Sequence, residues 1–505
     1  MESIRVRNLR SLGDTDALKF GRINVLVGQN SSGKSTFIRV FPLVKQSVQV
    51  KTTSGILWFG PFVDFGTFEE ALSQDASGEA ISIEFAFRAP FRRIRFRPHS
   101  GMKFSRRILM PMHFRVSISP DPEVSGKHLS GYDFRLYDQK ISLTINQDLK
   151  IKSFVVNGQD FTAAAAGEYA LFRQFNLLPA VTLKSDLELE RSYFDSKICA
   201  AMRDYVHGKK DSSAIYSSLR DLSVGSPSAI LDQLKGLSLG TYWADRVGQW
   251  TKESPQLKSI VTLLYAKEFY KLMEAAGDYI SIIAERIHYV TPLRATAERY
   301  YRTQGLAVDE IDPQGRNVAM FLANLTDEEA NEFAHWTAKH MGFEVRAMAR
   351  QGHISVVISD PGSNKITNLA DTGFGFSQVL PILAQLWQAS RTKTSANAPH
   401  YFAIEQPELH LHPRMQAKLA DLLISVTKDE EDLPSNLRIV LETHSETLIN
   451  RFGRAIDKGD YNQEDVKIYL FDKVGVSGKT LVRESRYDSE GYLENWPYGF
   501  FDPAE

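Results

Sequence analysis

The segment Gly28-Gln29-Asn30-Ser31-Ser32-Gly33-Lys34-Ser35-Thr36 sets the architecture expected of this chain. It fits the pattern GxxxxGK[ST]. It follows the apolar run Ile23–Val27, bounded by Gly21 and Gly28, and precedes Phe37, Ile38 and Phe41 at helical spacing. An unbroken apolar run suits a strand buried on both faces of a mostly parallel sheet. Strand, glycine-rich turn and helix is the order that phosphate binding needs. Glycines permit a turn whose N–H groups converge on phosphate, and the helix start adds positive dipole. In such a loop Lys34 reaches the β- and γ-phosphates and Ser35 ligates Mg²⁺, while Asn30, Ser31, Ser32, Gly33 and Thr36 complete the cradle. The expected cofactors are ATP and Mg²⁺, and the helix is expected to end near Pro42.

Upstream, Ile4, Val6 and Leu9 read as an opening strand. Between about 55 and 160 the pattern turns to short alternating runs separated by Gly, Pro, Asp and Asn. They are Ile81–Phe87, His113–Ile118, Lys140–Ile145 and Lys152–Val156. These predict an antiparallel sheet. From 164 to 287 helical spacing takes over, with Leu257, Ile260, Leu264, Ala266, Phe269 and Leu272 on one stripe. After Pro292 the α/β character returns, with strands expected at Ile354–Ile358, His400–Ile404 and Leu437–Leu441 and a polar loop at 390–399. The expected division is therefore 1–163, 164–287 and 288–505.

The run Tyr401-Phe-Ala-Ile-Glu405-Gln406-Pro407-Glu408 ends a hydrophobic stretch in acids. Such a strand, placed beside the phosphate-loop strand, delivers Glu405 to the Mg²⁺ water shell. His410 and His412 follow, but their i,i+2 spacing is poor for a shared helix face, so a metal site with Glu408 is the weaker reading.

Together with Asp371-Thr-Gly373-Phe-Gly375-Phe-Ser377-Gln378 and Thr443-His444-Ser445, these segments resemble ABC-type ATPase heads. More narrowly, they are similar to the SMC-like class that includes the overcoming-lysogenization-defect (OLD) proteins. Ile4-Arg-Val-Arg-Asn8-Leu9-Arg10-Ser11 resembles the first strand of that class. His288-Tyr-Val-Thr-Pro292-Leu-Arg294 and Asn495-Trp-Pro-Tyr-Gly-Phe-Phe501-Asp502 resemble a subgroup of it. The fold this implies is α/β: an ABC/SMC-type P-loop ATPase head with an antiparallel β layer and a helical insertion. The resemblance further implies that Gly375, Ser377 and Gln378 form the signature that meets the γ-phosphate on a second protomer, giving a homodimer or higher homo-oligomer with ATP between heads. His444 then takes the place of the switch histidine, and Arg10 is a candidate for the nucleotide phosphates.

One departure bears on turnover. Where the class carries an acid, a catalytic Glu and Pro, this chain reads Glu405, Gln406 and Pro407. A glutamine takes no proton from water. Glu408 is a candidate substitute base, or hydrolysis is slow because Gln406 replaces the usual Glu, which is the reading favoured; the alternative is that Gln406 orients water as the glutamine of small GTPases does.

OLD proteins carry a C-terminal toprim nuclease, whereas 61 residues follow His444 here. No nuclease domain is expected in this chain, and the output is assigned to a partner. The resemblance narrows to PtuA, the ATPase of Septu and some retron anti-phage systems, partnered by the HNH nuclease PtuB. The AriA ATPase with a toprim AriB-like partner is its nearest competitor. A reverse transcriptase with RNA and DNA belongs to the retron version. The alternative is a RecF/SMC-like DNA-repair clamp, and a third reading is a module that binds ATP without turnover.

The remaining features set limits. With 60 Lys plus Arg against 61 Asp plus Glu, the chain is no global polycation. Arg88–Arg97 with Lys103, Arg106 and Arg107 is the one dense basic stretch. It reads either as a nucleic-acid surface with stacking Phe91 and Phe96 or as an edge strand with solvated arginines. Lys184–Arg203, with Glu188, Glu190, Arg191 and Lys197, reads as a solvated helix face. The lone Cys199 excludes an intrachain disulfide and reads as a buried small side chain. The charged N-terminus and the shortness of apolar runs such as Val379–Trp387 predict a cytoplasmic protein without a membrane span.

Overall fold

Six consecutive buried residues, Ile23–Gly28, form the central strand of a mostly parallel sheet. The computed structural model describes residues 1–76, 78–96, 103–184, 192–303, 305, 307–362, 365–391, 399–428, 436–474, 479–497 and 500, with backbone alone at 92–96, 103–107 and 474. The chain groups into two units. Met1–Asn8, Ser47–Leu57 and Ala76–Ile282 make the first; Leu9–Gln46, Trp58–Asp75 and Ile283–Glu505 make the second.

In the second unit the strand order is Ile287–Val290, His400–Glu405, Leu437–Glu442, Ile23–Gly28, Val466–Val474, Lys479–Tyr487, Leu493–Glu494. The first five run parallel, and His400–Glu405 and Ile23–Gly28 are buried along their whole length, as is Leu437–Glu442 except at half-buried Arg438, in keeping with apolar runs covered on both faces. The strand ending at Glu405 does not lie beside the phosphate-loop strand, which corrects the sequence expectation: Leu437–Glu442 stands between them. The cause is the crossover. The chain leaves Glu405, forms helix Pro413–Thr427 and returns into the adjacent parallel position at Leu437, taking the slot next to Ile23–Gly28.

The helix after the loop is broken in two, Lys34–Ile38 and Val40–Val48. It does not stop at Pro42, because that proline falls in the first turn of the second piece, where its missing N–H is not required. Helix Phe374–Arg391 buries Val379, Leu380, Leu383 and Trp387 in the core of this unit.

In the first unit, Ser3–Leu9 pairs antiparallel with Ile81–Phe96, and the sheet continues through Lys103–Pro120, His128–Leu136, Gln139–Asn146, Ile151–Val156 and Gln159–Asp160. Period-2 burial puts Phe114, Phe134 and Phe154 on one face. Phe269, from helix Phe269–Glu285, wedges there at 5.7 Å from the Phe134 ring and 4.9 Å from that of Phe154. Helix Pro255–Lys267 joins the same packing, with Asn157 Nδ2 donating to Thr262 Oγ1 at 2.9 Å. All six residues of the expected apolar stripe are buried. The breaks at 163 and 287 thus mark changes of local structure, whereas the helices up to Ile282 pack with the antiparallel sheet as one unit. Among the described residues, no helix is long and apolar enough to cross a membrane.

The polar exception in the central strand is Asn24. Its Nδ2 donates to Gly21 O at 3.2 Å and Ile439 O at 2.9 Å, and its Oδ1 accepts from Gly21 N at 2.8 Å. Removing the amide strands three buried backbone groups. Asn24→Ala is expected to cost about 2–4 kcal/mol, read as a lowered urea midpoint with an unchanged slope.

Candidate functional site

The loop after Ile23–Gly28 needs its glycines for space as well as conformation. Gly28 has φ 146° and Gly33 has φ 94°. A Cβ would lie 2.2 Å from Phe471 O at the first and 2.7 Å from Leu12 Cδ2 at the second. Lys34, buried to 3% exposure, turns its Nζ onto Gly28 O at 2.9 Å and Gln29 O at 2.7 Å. Burial lowers its pKa and the Glu442 charge opposes that fall. Thr480 Oγ1 donates to Ser32 O at 2.8 Å, while the buried Ser32 Oγ has no partner among the described residues. Arg10, at φ 51°, lies over the Phe65 ring at 4.8 Å and donates to Asp64 O at 3.3 Å. Arg10, Ser11, Asn30, Ser31, Ser32, Gly33, Lys34, Ser35, Thr36, Gln406 and Glu442 line one cavity of about 360 Å³. An orphaned hydroxyl, an ammonium resting on main-chain oxygens and a rim arginine are what an anionic ligand would engage.

The parallel register sets Glu405 level with Glu442. The two carboxylates have different partners. Glu405 is gripped by the Arg39 fork, with Nε at 2.8 Å and Nη2 at 2.9 Å, and accepts from Tyr289 Oη at 2.6 Å. Glu442 accepts from Ser35 Oγ at 2.8 and 3.0 Å. Burial first and the Glu405 charge second raise Glu442 to about 7. Ser35 with these acids is a hard-oxygen donor set that fits Mg²⁺ completed by phosphate and water. His410 and His412 do something else. His412 Nδ1 caps helix Pro413–Thr427 by accepting from Arg414 N at 3.3 Å, and His410 meets the edge of Phe374 at 4.8 Å. Among the described residues, no group of three or more His, Cys, Asp or Glu side chains is placed to hold a metal.

Gln406 sits at φ 41°, unusual for a side-chain-bearing residue; its N–H donates to Glu442 O at 2.8 Å, and its side chain faces the cavity. Glu408 accepts from His444 N at 2.7 Å, so these two expected site residues are joined directly. Desolvation chiefly raises Glu408. Partial desolvation and then the Lys34 charge lower the pKa of the His444 imidazole. Arg294, 5% exposed, donates to Glu405 O at 2.8 Å, and its Nε and Nη1 have no hydrogen-bond partner among the described residues. Burial brings it down to about 10.

The signature segment is placed less openly than its motif suggests. A Cβ on Gly375 would lie 2.7 Å from His410 O, so this glycine lets the start of helix Phe374–Arg391 approach that loop. Ser377 Oγ donates to Phe374 O at 2.7 Å, and Gln378, 1% exposed, donates to Arg294 O at 3.3 Å. The residues of the segment open to solvent are Asp371, Gly373 and Phe374.

Sequence reasoning missed Glu442, Arg39, Tyr289 and Arg294 as site residues. Leu437–Glu442 ends in an acid just as His400–Glu405 does, and that signal was available. Nothing in the spacing marked Arg39. Of the other expectations, Phe91 is buried rather than free to stack, and Arg88 pairs with Glu2 at 3.0 Å. The side chains of 92–107, Phe96 included, lie outside the described residues, as do Glu188, Glu190, Arg191, Phe501 and Asp502. Cys199 is buried.

Over residues 1–449 the chain matches the AAA ATPase domain family, and over 462–505 a family described as a protein of unknown function (DUF3696). No curated protein matches it. Among solved structures it is similar to the SMC head domain from Thermotoga maritima, at 9% identity and TM-score 0.33, covering 95% of this chain and 97% of that one. It is also similar to the recombination mediator protein RecF with ATP, at 10% identity and TM-score 0.29, covering 96% and 98%.

The raised Glu442 carries a sign. Its carboxyl ordinarily titrates at 4.5 and here at about 7, so between those values the folded chain holds a proton that the unfolded chain has released. Stability from this group therefore falls as pH rises through that window, by up to roughly 3 kcal/mol, and is level above it. Glu442→Gln is expected to flatten this part of the profile and to be the more stable protein at about pH 8. Guanidinium titrations without nucleotide, in EDTA, check it; parallel profiles for the two proteins would refute it.

Proposed function

The chain belongs to the AAA ATPase domain family, and on that premise we propose that it binds ATP with Mg²⁺ at the phosphate loop, hydrolyses it slowly, and controls a separately encoded nuclease in anti-phage defence. The observation that carries the ATP reading is the single cavity joining Lys34, Ser35, Glu442, Gln406 and Arg10. Phosphate oxygens would replace Gly28 O and Gln29 O as partners of Lys34. Ser35 and a carboxylate at this strand edge would hold Mg²⁺, which supplies charge neutralisation at the phosphates. Gln406 would orient water through its amide but accept no proton, and that is the reason for slow turnover. His444, tied through its amide to Glu408, is suited to report on what occupies the cavity.

In this reading two protomers close on ATP through the segment 373–378, and the closed assembly restrains a nuclease in the cytoplasm. The partner is an HNH nuclease of the PtuB kind or a toprim nuclease of the AriB kind, with a reverse transcriptase and its RNA and DNA in a retron setting. This part rests on the motifs quoted above and on their resemblance to the PtuA group.

Two measurements test the proposal. The tagged chain, expressed with its gene neighbours and purified with ATP and Mg²⁺, is expected to bring down a small nuclease in a complex of defined mass. A chain recovered alone that binds DNA ends only with ATP would replace this reading with the repair clamp. Separately, Gln406→Glu is expected to raise turnover on the order of 10²-fold in a phosphate-release assay. An unchanged rate would assign the base to Glu408 or another group.

A further inference from the structure

We propose that Glu442, and not Glu405, supplies the carboxylate that holds Mg²⁺ beside Ser35. The assignment rests on the ATP reading above and refines its metal site.

Three observations carry it. The first is that Glu405 is already engaged. Both its oxygens meet the Arg39 fork, and Oε1 also accepts from Tyr289. A bidentate arginine pair of this kind is among the stronger charge-assisted contacts. Oε1 has both acceptor sites taken and Oε2 keeps one, so a metal at Glu405 would sit directly against the Arg39 charge.

The second is spacing. Ser35 Oγ lies 2.8 and 3.0 Å from the two Glu442 oxygens. Adjacent ligands of an octahedral ion with bonds of about 2.1 Å stand about 3 Å apart. The hydroxyl and the carboxylate are therefore already separated as one edge of such a shell.

The third is topology. Glu442 ends the strand paired directly with the phosphate-loop strand, opposite Leu26, while Glu405 ends the strand beyond it. At about 4.8 Å per strand, Glu405 starts roughly twice as far from the loop as Glu442 does. Charge balance agrees. Two buried carboxylates lie level; Arg39 neutralises one, and the other has a hydroxyl and the Lys34 charge nearby. A divalent ion at Ser35 would complete the balance. Glu405 then acts as a positioning residue, fixing Arg39 and Tyr289 behind the site.

The test reads metal dependence of binding, not turnover. Affinity for a fluorescent ATP analogue is measured with Mg²⁺ and with EDTA for the wild-type chain, Glu442→Gln and Glu405→Gln. The Mn²⁺ resonance spectrum of each ATP complex is recorded alongside. Glu442→Gln is expected to keep binding nucleotide in EDTA and to lose the tightening by Mg²⁺, on the order of tenfold or more, with a matching loss of bound Mn²⁺. Glu405→Gln is expected to keep the tightening. Should Glu442→Gln bind nothing in EDTA, Glu442→Asp replaces it, with a smaller loss of metal dependence expected and an unchanged dependence counting against the assignment. Full metal dependence in Glu442→Gln, or its loss in Glu405→Gln, overturns the assignment and leaves the ATP reading standing. A wild-type chain that binds no nucleotide under either condition overturns both.

Discussion

The site depends on the parallel ladder that joins Ile23–Gly28 to Leu437–Glu442 and that strand to His400–Glu405. Parallel strands all deliver their carboxyl ends to one edge of a sheet, where loops are free to carry function. Here the register places Leu26 opposite Glu442 and Glu442 opposite Glu405, so the phosphate loop and both acids emerge together. Asn24, bonded to the Gly21 turn and to Ile439, ties the first two strands with side-chain contacts that a one-residue slip would break. Because a slip also reverses which side chains face which way, the geometry of the edge is fixed by the core beneath it.

Burying this many charges is costly unless each finds a counterpart. Glu405 has Arg39, Lys34 has two main-chain oxygens and the field of Glu442, and Glu408 has the amide of His444 and the field of Arg294. Arg294 has two nitrogens without a partner among the described residues, yet its remaining nitrogen holds Glu405 O and its own carbonyl accepts from Gln378. Arg294 is thereby a hydrogen-bonded link between helix Phe374–Arg391 and the end of the strand at Glu405.

The fold class was legible because its decisive signals are local. GxxxxGK[ST] after a doubly buried strand specifies a strand, turn and helix from contiguous residues, and the runs ending at Glu405 and Glu442 announce further buried strands. Period-2 alternation likewise marked the antiparallel strands, although it underestimated their length, since Ile81–Phe96 and Lys103–Pro120 pair far beyond the apolar cores of 81–87 and 113–118. What local pattern could not reveal was adjacency. The order of parallel strands is set by crossovers, so the strand ending at Glu405 was placed one position too near the phosphate loop. The roles of Glu442 and Arg39 were hidden by the same step. Burial of Gln378 was hidden too, since a motif specifies residue types and not which side of a helix meets the core.

Gln406 follows from the same charge arrangement. Its backbone is pinned at positive φ by the bond from its N–H to Glu442 O, so the side chain enters the cavity that Glu442 already lines. A glutamate there would be a third acid beside two buried ones, and mutual repulsion would raise the pKa of the group and cost stability. An amide avoids that penalty and keeps hydrogen-bonding capacity toward water. The site has an additional acid on the neighbouring strand and lacks one at the water-facing position. Both features follow from one electrostatic limit: a buried pocket of this size carries only as many carboxylates as its cations can balance. Slow turnover, as proposed above, is then the kinetic side of where this chain places its acids: the amide at 406 relieves the charge of the pocket and gives up a proton acceptor.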